Sequence, residues 1–204
     1  MAPSGWKLLE SGAMRIIAGE LGGRRIAAVP GQGTRPMLDR VREALFSILG
    51  ERVVAARVLD LFAGSGGLGL EALSRGAQAV RLVESDRQAA KLLRRTLDEL
   101  GVAERVELVV ADALSPASWG PAGEPLDLVF LDPPYKMLSE AVVRRRVLAA
   151  LGRLSGERLA PDGLVVLHAS RDALYERDFP AGVAGRSRRY GTSELWLLER
   201  EVES

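Results

Sequence analysis

From Val58 onward, short apolar runs alternate with longer stretches in which apolar residues recur every three or four positions. The runs VLDLF (58–62), AVRLVE (79–84), RVELVVAD (105–112), LDLVFLD (126–132) and GLVVLHA (163–169) have strand length and lie between turn-forming residues. Helical spacing fills the intervals at GLGLEALSRG (67–76), RQAAKLLRRTLDELG (87–101) and SEAVVRRRVLAALGRL (139–154), with Gly101 placed for a left-handed C-cap. DALYERDF (172–179) predicts a further short helix, and RSRRYGTSELWLLERE (186–201) a hairpin turning near Gly191 that adds one antiparallel strand. Strand–helix alternation with near-continuous apolar strands predicts a Rossmann-like α/β fold, a mostly parallel seven-stranded sheet with helices on both faces. The one loose stretch is SPASWGPAGEP (115–125).

Before Val58 the pattern changes. MRIIAGELGGRRI (14–26) is two short apolar segments around Gly22 and Gly23, a β-hairpin with arginines beside it. DRVREALFSILG (39–50) predicts an amphipathic helix with Val41, Ala44, Leu45, Ile48 and Leu49 on one face and Asp39 capping its start. The chain thus divides into residues 1–13, read as a flexible extension, a front hairpin and helix over 14–57, and the main domain over 58–204.

Charge sharpens this division. Net charge is +1, but residues 14–42 hold six arginines against Glu20 and Asp39, a balance of +4, while residues 58–135 carry −5. A basic front joined to an acidic middle suits an anionic partner met by the first part, although a solvated charged surface explains the same numbers. With no cysteine, disulfides and thiolate metal sites are excluded. No run of eighteen apolar residues spans a membrane, and the N-terminus lacks the apolar core of a signal peptide, so a cytoplasmic protein is expected.

The candidate chemistry lies at the ends of the strands. After the first, FAGSGG supplies a glycine-rich turn in which Phe62, Ala63, Gly64, Ser65, Gly66 and Gly69 can approach a ligand closely. Gly64, Gly66 and Gly69 also meet the dinucleotide spacing G-x-G-x-x-G, which keeps a nicotinamide or flavin oxidoreductase in view. Asp60 precedes the turn, where a carboxylate repels pyrophosphate and suits a cationic amino-acid end. Glu84, with Ser85, closes the second strand, placed for ribose hydroxyls. Asp112, with Ala113, ends the third, placed for an adenine amine. Acids at three consecutive strand ends describe a ligand with an ammonium, a ribose and an adenine but no phosphates, which fits S-adenosylmethionine. Each acid taken singly can equally be a cap for the helix that follows it.

The fourth strand ends in Asp132, Pro133, Pro134 and Tyr135. An exocyclic base amine is a poor nucleophile because its lone pair is delocalised into the ring. The Asp132 carboxylate and the Pro133 carbonyl can accept its two N–H bonds, localising that lone pair, and the two prolines stiffen the carbonyl. Tyr135 offers a face for the base, stacking worth about 1–3 kcal/mol. The implied reaction is an in-line methyl transfer to a base amine, the base being turned out of its stack where it starts in one.

These residues resemble a known family. LDLFAGSGGLGLEALSRGA with VESD, ADAL and DPPY is similar to the class I amino-methyltransferases. MRIIAGELGGRRI, TRPMLDRVREALFSIL and YGTSELWLLE resemble more narrowly the RsmD-type methyltransferases of bacterial ribosomal RNA. The resemblance runs from Met14 almost to the C-terminus. It implies N2 methylation of one guanine in 16S rRNA, on the small ribosomal subunit or a late assembly intermediate, with no metal and no membrane. It also implies that Thr34, Arg35 and Pro36 lie against the cofactor and that the front contacts RNA. Arg15, Arg24, Arg25, Arg40 and Arg42 are then candidates for phosphate contacts, the last two being equally at home on a solvated helix face.

The same chemistry serves a DNA or RNA methyltransferase acting on adenine N6 or cytosine N4, and a non-catalytic ribosome assembly factor would keep the fold without the turnover. His168, the only histidine, reads as a structural residue at the end of the fifth strand. Trp6 and Trp119 read as core lids or stacking surfaces, and RSRRY (186–190) as a further tract that can reach RNA.

Overall fold

Strands with apolar residues on both sides need cover on both sides, and the chain supplies it. The computed structural model describes residues 14–27 and 37–201. In order they form β1 (Met14–Arg15), β2 (Arg25–Ile26), α1 (Asp39–Leu49), β3 (Arg57–Leu61), α2 (Gly67–Ser74), β4 (Ala79–Glu84), α3 (Arg87–Leu100), β5 (Val106–Val110), β6 (Leu126–Leu131), α4 (Tyr135–Ser139), α5 (Ala141–Glu157), β7 (Leu159–Ser170), β8 (Val183–Tyr190) and β9 (Ser193–Arg200). Seven strands make one sheet in the order β5-β4-β3-β6-β7-β9-β8, and β1 pairs with β2 as a separate antiparallel hairpin. The pairs from β5 through β7 are parallel; β9 runs antiparallel between β7 and β8, and β8 has the same direction as β7. Strand order reverses between β3 and β6, the switch point beside which ligands sit in open α/β sheets.

Alternation along the strands sorts the core into two layers. Val58, Leu82, Phe130 and Val166 pack with Leu45 of α1, Leu70 of α2 and Leu93 of α3. Leu59, Val83, Leu131 and Leu167 pack on the other side with Val147, Leu151 and Leu154 of α5. Each such fully buried aliphatic side chain contributes about 1.5–3 kcal/mol. Helix α3 is capped at both ends, at Gly101 as its sequence predicts. Asp86 accepts from the backbone N–H of Gln88 (2.8 Å) and Ala89 (2.9 Å), and Gly101 ends the helix at φ 73°.

The front segment is fastened to α2 by polar groups. Glu71, fully buried, accepts from the backbone N–H of Ile17 (2.7 Å) and Ala18 (3.1 Å) and from Arg75 Nε (2.7 Å). Ser74 Oγ accepts from Leu21 N–H at 2.9 Å and donates to the Ala18 carbonyl at 2.5 Å. Ile16 and Ile26 join the same apolar layer as α1 and α2.

The terminal hairpin adds two strands to the sheet, and of these only β9 runs antiparallel to the rest, the single antiparallel strand that the sequence predicts. Several expectations are corrected. DALYERDF keeps a single 3-10 turn at Glu176–Asp178, since Pro180 holds Phe179 extended at ψ 147° and a helix cannot propagate. SEAVVRRRVLAALGRL starts its helix at Ala141, after the separate short helix α4, and runs on to Glu157. Asp39 is the first helical residue of α1, preceded by Leu38, and turns to Arg42 (3.1 Å) instead of capping. The buried face of α1 is Val41, Arg42, Leu45, Phe46 and Leu49, with Ile48 exposed, because Phe46 packs on Phe130 with ring centroids 5.8 Å apart. Trp119 is buried and donates through Nε1 to the Ala113 carbonyl (2.9 Å), so the stretch around it folds over the core as a lid. No helix among the described residues is long and apolar enough to cross a membrane.

Candidate active site at the carboxyl ends of the strands

Register places the chemistry in one row. Leu61 pairs with Val83 on one side and Leu131 on the other, and Leu131 pairs with Leu167. The next residue on each strand is therefore Glu84, Phe62, Asp132 and His168. Side chains alternate in β-strands, so Asp60, Glu84, Asp132 and His168 share the face that carries Val58, Leu82, Phe130 and Val166. This is the face toward α1 and α2.

The glycine turn is built for close approach. Phe62 holds φ 63°, a left-handed conformation unusual for a residue with a Cβ, between Glu84 and Asp132 in the row. Gly66 follows at φ 81° and caps α2, with its N–H on the Ala63 carbonyl at 2.7 Å. A Cβ on Gly69 would overlap Leu82 Cδ2 and stand 3.1 Å from Asp60 Oδ2, so only glycine lets α2 lie this close to the strands. Ala63 is buried, and Gly64 and Ser65 are half-buried along the turn.

The acids divide by environment. Asp60 is 1% exposed and accepts from Gly69 N–H (2.8 Å). Burial raises its carboxyl to about 8; the Gly69 N–H works against this, and the negative charges of Asp132 and Glu84 add to it. Glu84 accepts from Gly64 N–H (2.8 Å) and Asp86 N–H (2.7 Å), with Ser85 exposed beside it. Asp112 is exposed, and its oxygens take Leu114 N–H (2.9 Å) and Arg146 Nη2 (2.9 Å). Ala113 is buried behind it.

Asp132 follows β6 with its N–H toward the Leu61 carbonyl (3.4 Å), and its side chain is 29% exposed. Its Oδ1 lies 2.7 Å from His168 Nδ1. Pro133 is buried, Pro134 precedes α4, and Tyr135 opens that helix with its ring 37% exposed. His168, read from the sequence as structural, thus touches the leading catalytic candidate. Strand parity was the available signal, since Leu164, Val166 and His168 share a face.

The predicted cofactor set is brought together except for Thr34, Arg35 and Pro36, which lie outside the described residues. The predicted RNA contacts separate. Arg15, Arg24, Arg25 and Arg40 are exposed, and Arg24 also donates to the Glu99 carbonyl (2.9 Å). Arg42 is corrected: it is 1% exposed, donates to Met14 Sδ and the Arg15 carbonyl, and pairs with Asp39 (3.1 Å) and Glu71 (3.8 Å). It is neither free for phosphate nor on a solvated face.

A cleft of about 370 Å³ opens at the opposite ends of the strands, lined by Arg57, Arg81, Arg105 and Arg158. Glu124, Glu107 and Glu20 hold the first three, and the carbonyls of Trp119, Gly120, Pro121 and Glu124 hold Arg158.

Comparison with known proteins agrees with the geometry. The family model described as "Conserved hypothetical protein 95" matches residues 14–199. The chain belongs to this family, the RsmD-type methyltransferases. Its fold is that of the class I methyltransferases. Among RsmD-type relatives, the chain is 36% identical over 192 residues to the "Putative rRNA methyltransferase YlbH" of Bacillus subtilis, covering 92% of this chain and 99% of that protein. It is 42% identical over 134 residues to "Ribosomal RNA small subunit methyltransferase D" of Escherichia coli, covering 65% of this chain and 66% of that protein. The solved structure of the "Putative methyltransferase yhhF" from Escherichia coli superposes with a TM-score of 0.78 at 33% identity, over 94% of this chain and 100% of that one.

The donor set fits S-adenosylmethionine. Among the described residues, Asp60 and Glu84 have backbone N–H partners and no cationic side chain, so the buried Asp60 can give up its proton beside a positive ligand and has no cation near it to favour a pyrophosphate. Asp60 also predicts a pH signature. Its native value lies above the ordinary 3.8, at about 8, so the native state holds a proton that the unfolded chain releases. The stability this lends is full below about pH 4 and is lost as pH rises through about 8. Urea denaturation of the ligand-free protein is expected to show stability falling from pH 6 to pH 8.5 more steeply in the wild type than in Asp60→Asn. Parallel pH profiles would refute a protonated Asp60.

Proposed function

We propose that this RsmD-type chain transfers a methyl group from S-adenosylmethionine to the exocyclic N2 of a guanine in 16S rRNA of the small ribosomal subunit. The observation that carries the reading is Asp132, half-exposed at the switch point, with one carboxylate oxygen engaged by His168 and the other left for an amine. The relatives' names as ribosomal RNA methyltransferases support the substrate class. Guanine N2 follows the family resemblance.

Bound S-adenosylmethionine supplies a methyl carbon on a cationic sulfur. Asp60 meets the cofactor's positive amino-acid end as a carboxylate, Glu84 accepts from the ribose hydroxyls, and the lone pairs left on Asp112 accept from the adenine amine. Phe62, Ala63, Gly64, Ser65 and Gly66 form the floor, and Gly69 lets α2 close on it. Asp132 Oδ2 and the Pro133 carbonyl accept the two N–H bonds of the base amine, drawing its lone pair out of the ring and toward the methyl carbon. The exposed face of Tyr135 takes the base by stacking. After transfer, the surplus amine proton leaves by Asp132 to solvent. Arg15, Arg24, Arg25 and Arg40 present exposed positive charge to phosphates, which positions the RNA without reading its sequence.

The test uses purified protein, methyl-labelled S-adenosylmethionine and unmodified small subunits or their free RNA, with nucleoside mass spectrometry of the product. Label in N2-methylguanosine at one site is the expected result. Label in adenine or cytosine would overturn the base assignment, and cofactor binding with no label on either substrate would overturn the activity.

A further inference from the structure

His168 is buried at 3% exposure, and the methyl-transfer chemistry above leaves it unused. Its Nδ1 lies 2.7 Å from Asp132 Oδ1, and its Nε2 lies 3.4 Å from the Tyr135 hydroxyl. That hydroxyl is in turn 3.4 Å from Ser193 Oγ, on β9. The Tyr135 and His168 rings meet edge to face, centroids 5.6 Å apart. A hydrogen-bonded line therefore runs from β9 through α4 and β7 to the carboxylate after β6.

The chemistry of the line fixes its protons. An ionised carboxylate only accepts, so Nδ1 must donate to Asp132. A neutral ring then accepts at Nε2, which makes Tyr135 the donor there and leaves its oxygen to accept from Ser193. Among the described residues, Asp132 and the Tyr135 hydroxyl are the polar groups within hydrogen-bond reach of the imidazole, and Leu195 faces it across β9.

We propose that His168 is a positioning residue for base methylation, acting as the neutral imidazole with its proton on Nδ1. The proposal rests on the amine-methylation reading of the site. One N–H holds Oδ1 and so stops the carboxylate from rotating, which points Oδ2 at the amine. The opposite nitrogen holds the Tyr135 hydroxyl and so sets the ring on which the base stacks. A single side chain thereby sets the angle between the group that takes the N–H and the surface that takes the base. Errors of about 1 Å in such an alignment cost roughly a hundredfold in rate.

The chain has one histidine, so its imidazole gives one pair of nitrogen signals in an NMR spectrum of protein labelled with 15N-histidine. The expected spectrum shows a protonated Nδ1 and an unprotonated Nε2 at neutral pH, with that preference lost in Asp132→Ala. The opposite tautomer in the wild type would overturn the proposal without reference to activity. On small subunits, His168→Leu is expected to lower kcat roughly tenfold to a hundredfold while KM for RNA and cofactor affinity hold. His168→Asn, whose amide N–H reaches the Nδ1 position, should recover most of that loss. Wild-type kcat in His168→Leu, Asn no better than Leu, or a loss confined to KM and melting temperature would each refute positioning. A wild-type protein with the right tautomer that methylates nothing would instead bring down the functional reading, and the role with it.

Discussion

Asp132→Ala is expected to lower kcat by about 10²–10⁴-fold, the range typical of losing a positioned acceptor or electrostatic partner in the transition state. The base amine would keep the Pro133 carbonyl and the Tyr135 face but lose the carboxylate that withdraws its lone pair from the ring. Binding should survive. Asp132 adds negative charge that holds the Asp60 carboxyl up, so its removal lets Asp60 ionise more readily, and cofactor affinity is expected to hold or tighten. Asp132→Asn should fall between, since its amide oxygen still accepts one N–H without the charge. Single-turnover methylation beside equilibrium cofactor binding checks both arms. Turnover within tenfold of wild type would remove Asp132 from the chemistry.

The second large effect is on stability. Glu71→Ala is expected to cost about 3–5 kcal/mol, the usual penalty for breaking a buried ion pair by taking one partner away. The substitution strands the backbone N–H groups of Ile17 and Ala18 and leaves the buried Arg42 guanidinium with only the exposed Asp39 as a carboxylate partner. A loss of that size is a large share of the roughly 5–15 kcal/mol that holds a domain folded. Urea denaturation should show a lower midpoint at unchanged slope. In a double-mutant cycle, Arg42→Met with Glu71→Leu should recover only the part of the loss that comes from the uncompensated guanidinium, because the N–H groups of Ile17 and Ala18 stay unpaired. A single-mutant cost under about 1 kcal/mol would mean that Ile16 and Ile26 hold the front segment by apolar packing alone.

Legibility in the sequence followed the range of the interaction. The α3 cap at Gly101, the bounds of β4, and the glycine turn from Gly64 to Gly69 depend on neighbours within one turn or strand, and local spacing describes them well. The acids of the site were legible because each sits at a strand end, where alternation and the parallel order of the sheet decide what lies beside it. Arg42 was not. A charged residue in an apolar face reads as solvated until its partner is known, and Glu71 lies 29 residues further along the chain, in another helix. Asp39 looked like a cap for the same reason, its partner being that buried arginine. His168 was undervalued because 36 residues separate it from Asp132, and only the pairing of Leu131 with Leu167 brings them level.

The attachment of residues 14–27 to α2 also bears on the order in which the protein takes shape during synthesis. Every polar anchor of that segment on Glu71 and Ser74 spans 53 to 56 residues of sequence. At about 5–20 residues per second, translation leaves roughly 3–10 s between the emergence of the hairpin and that of the helix that holds it. A two-residue ladder between β1 and β2 is too short to persist alone for that time. The arginine-bearing front of the protein therefore becomes a fixed surface only after the glycine turn and α2 exist, so the nascent chain gains its glycine turn before it gains its basic edge.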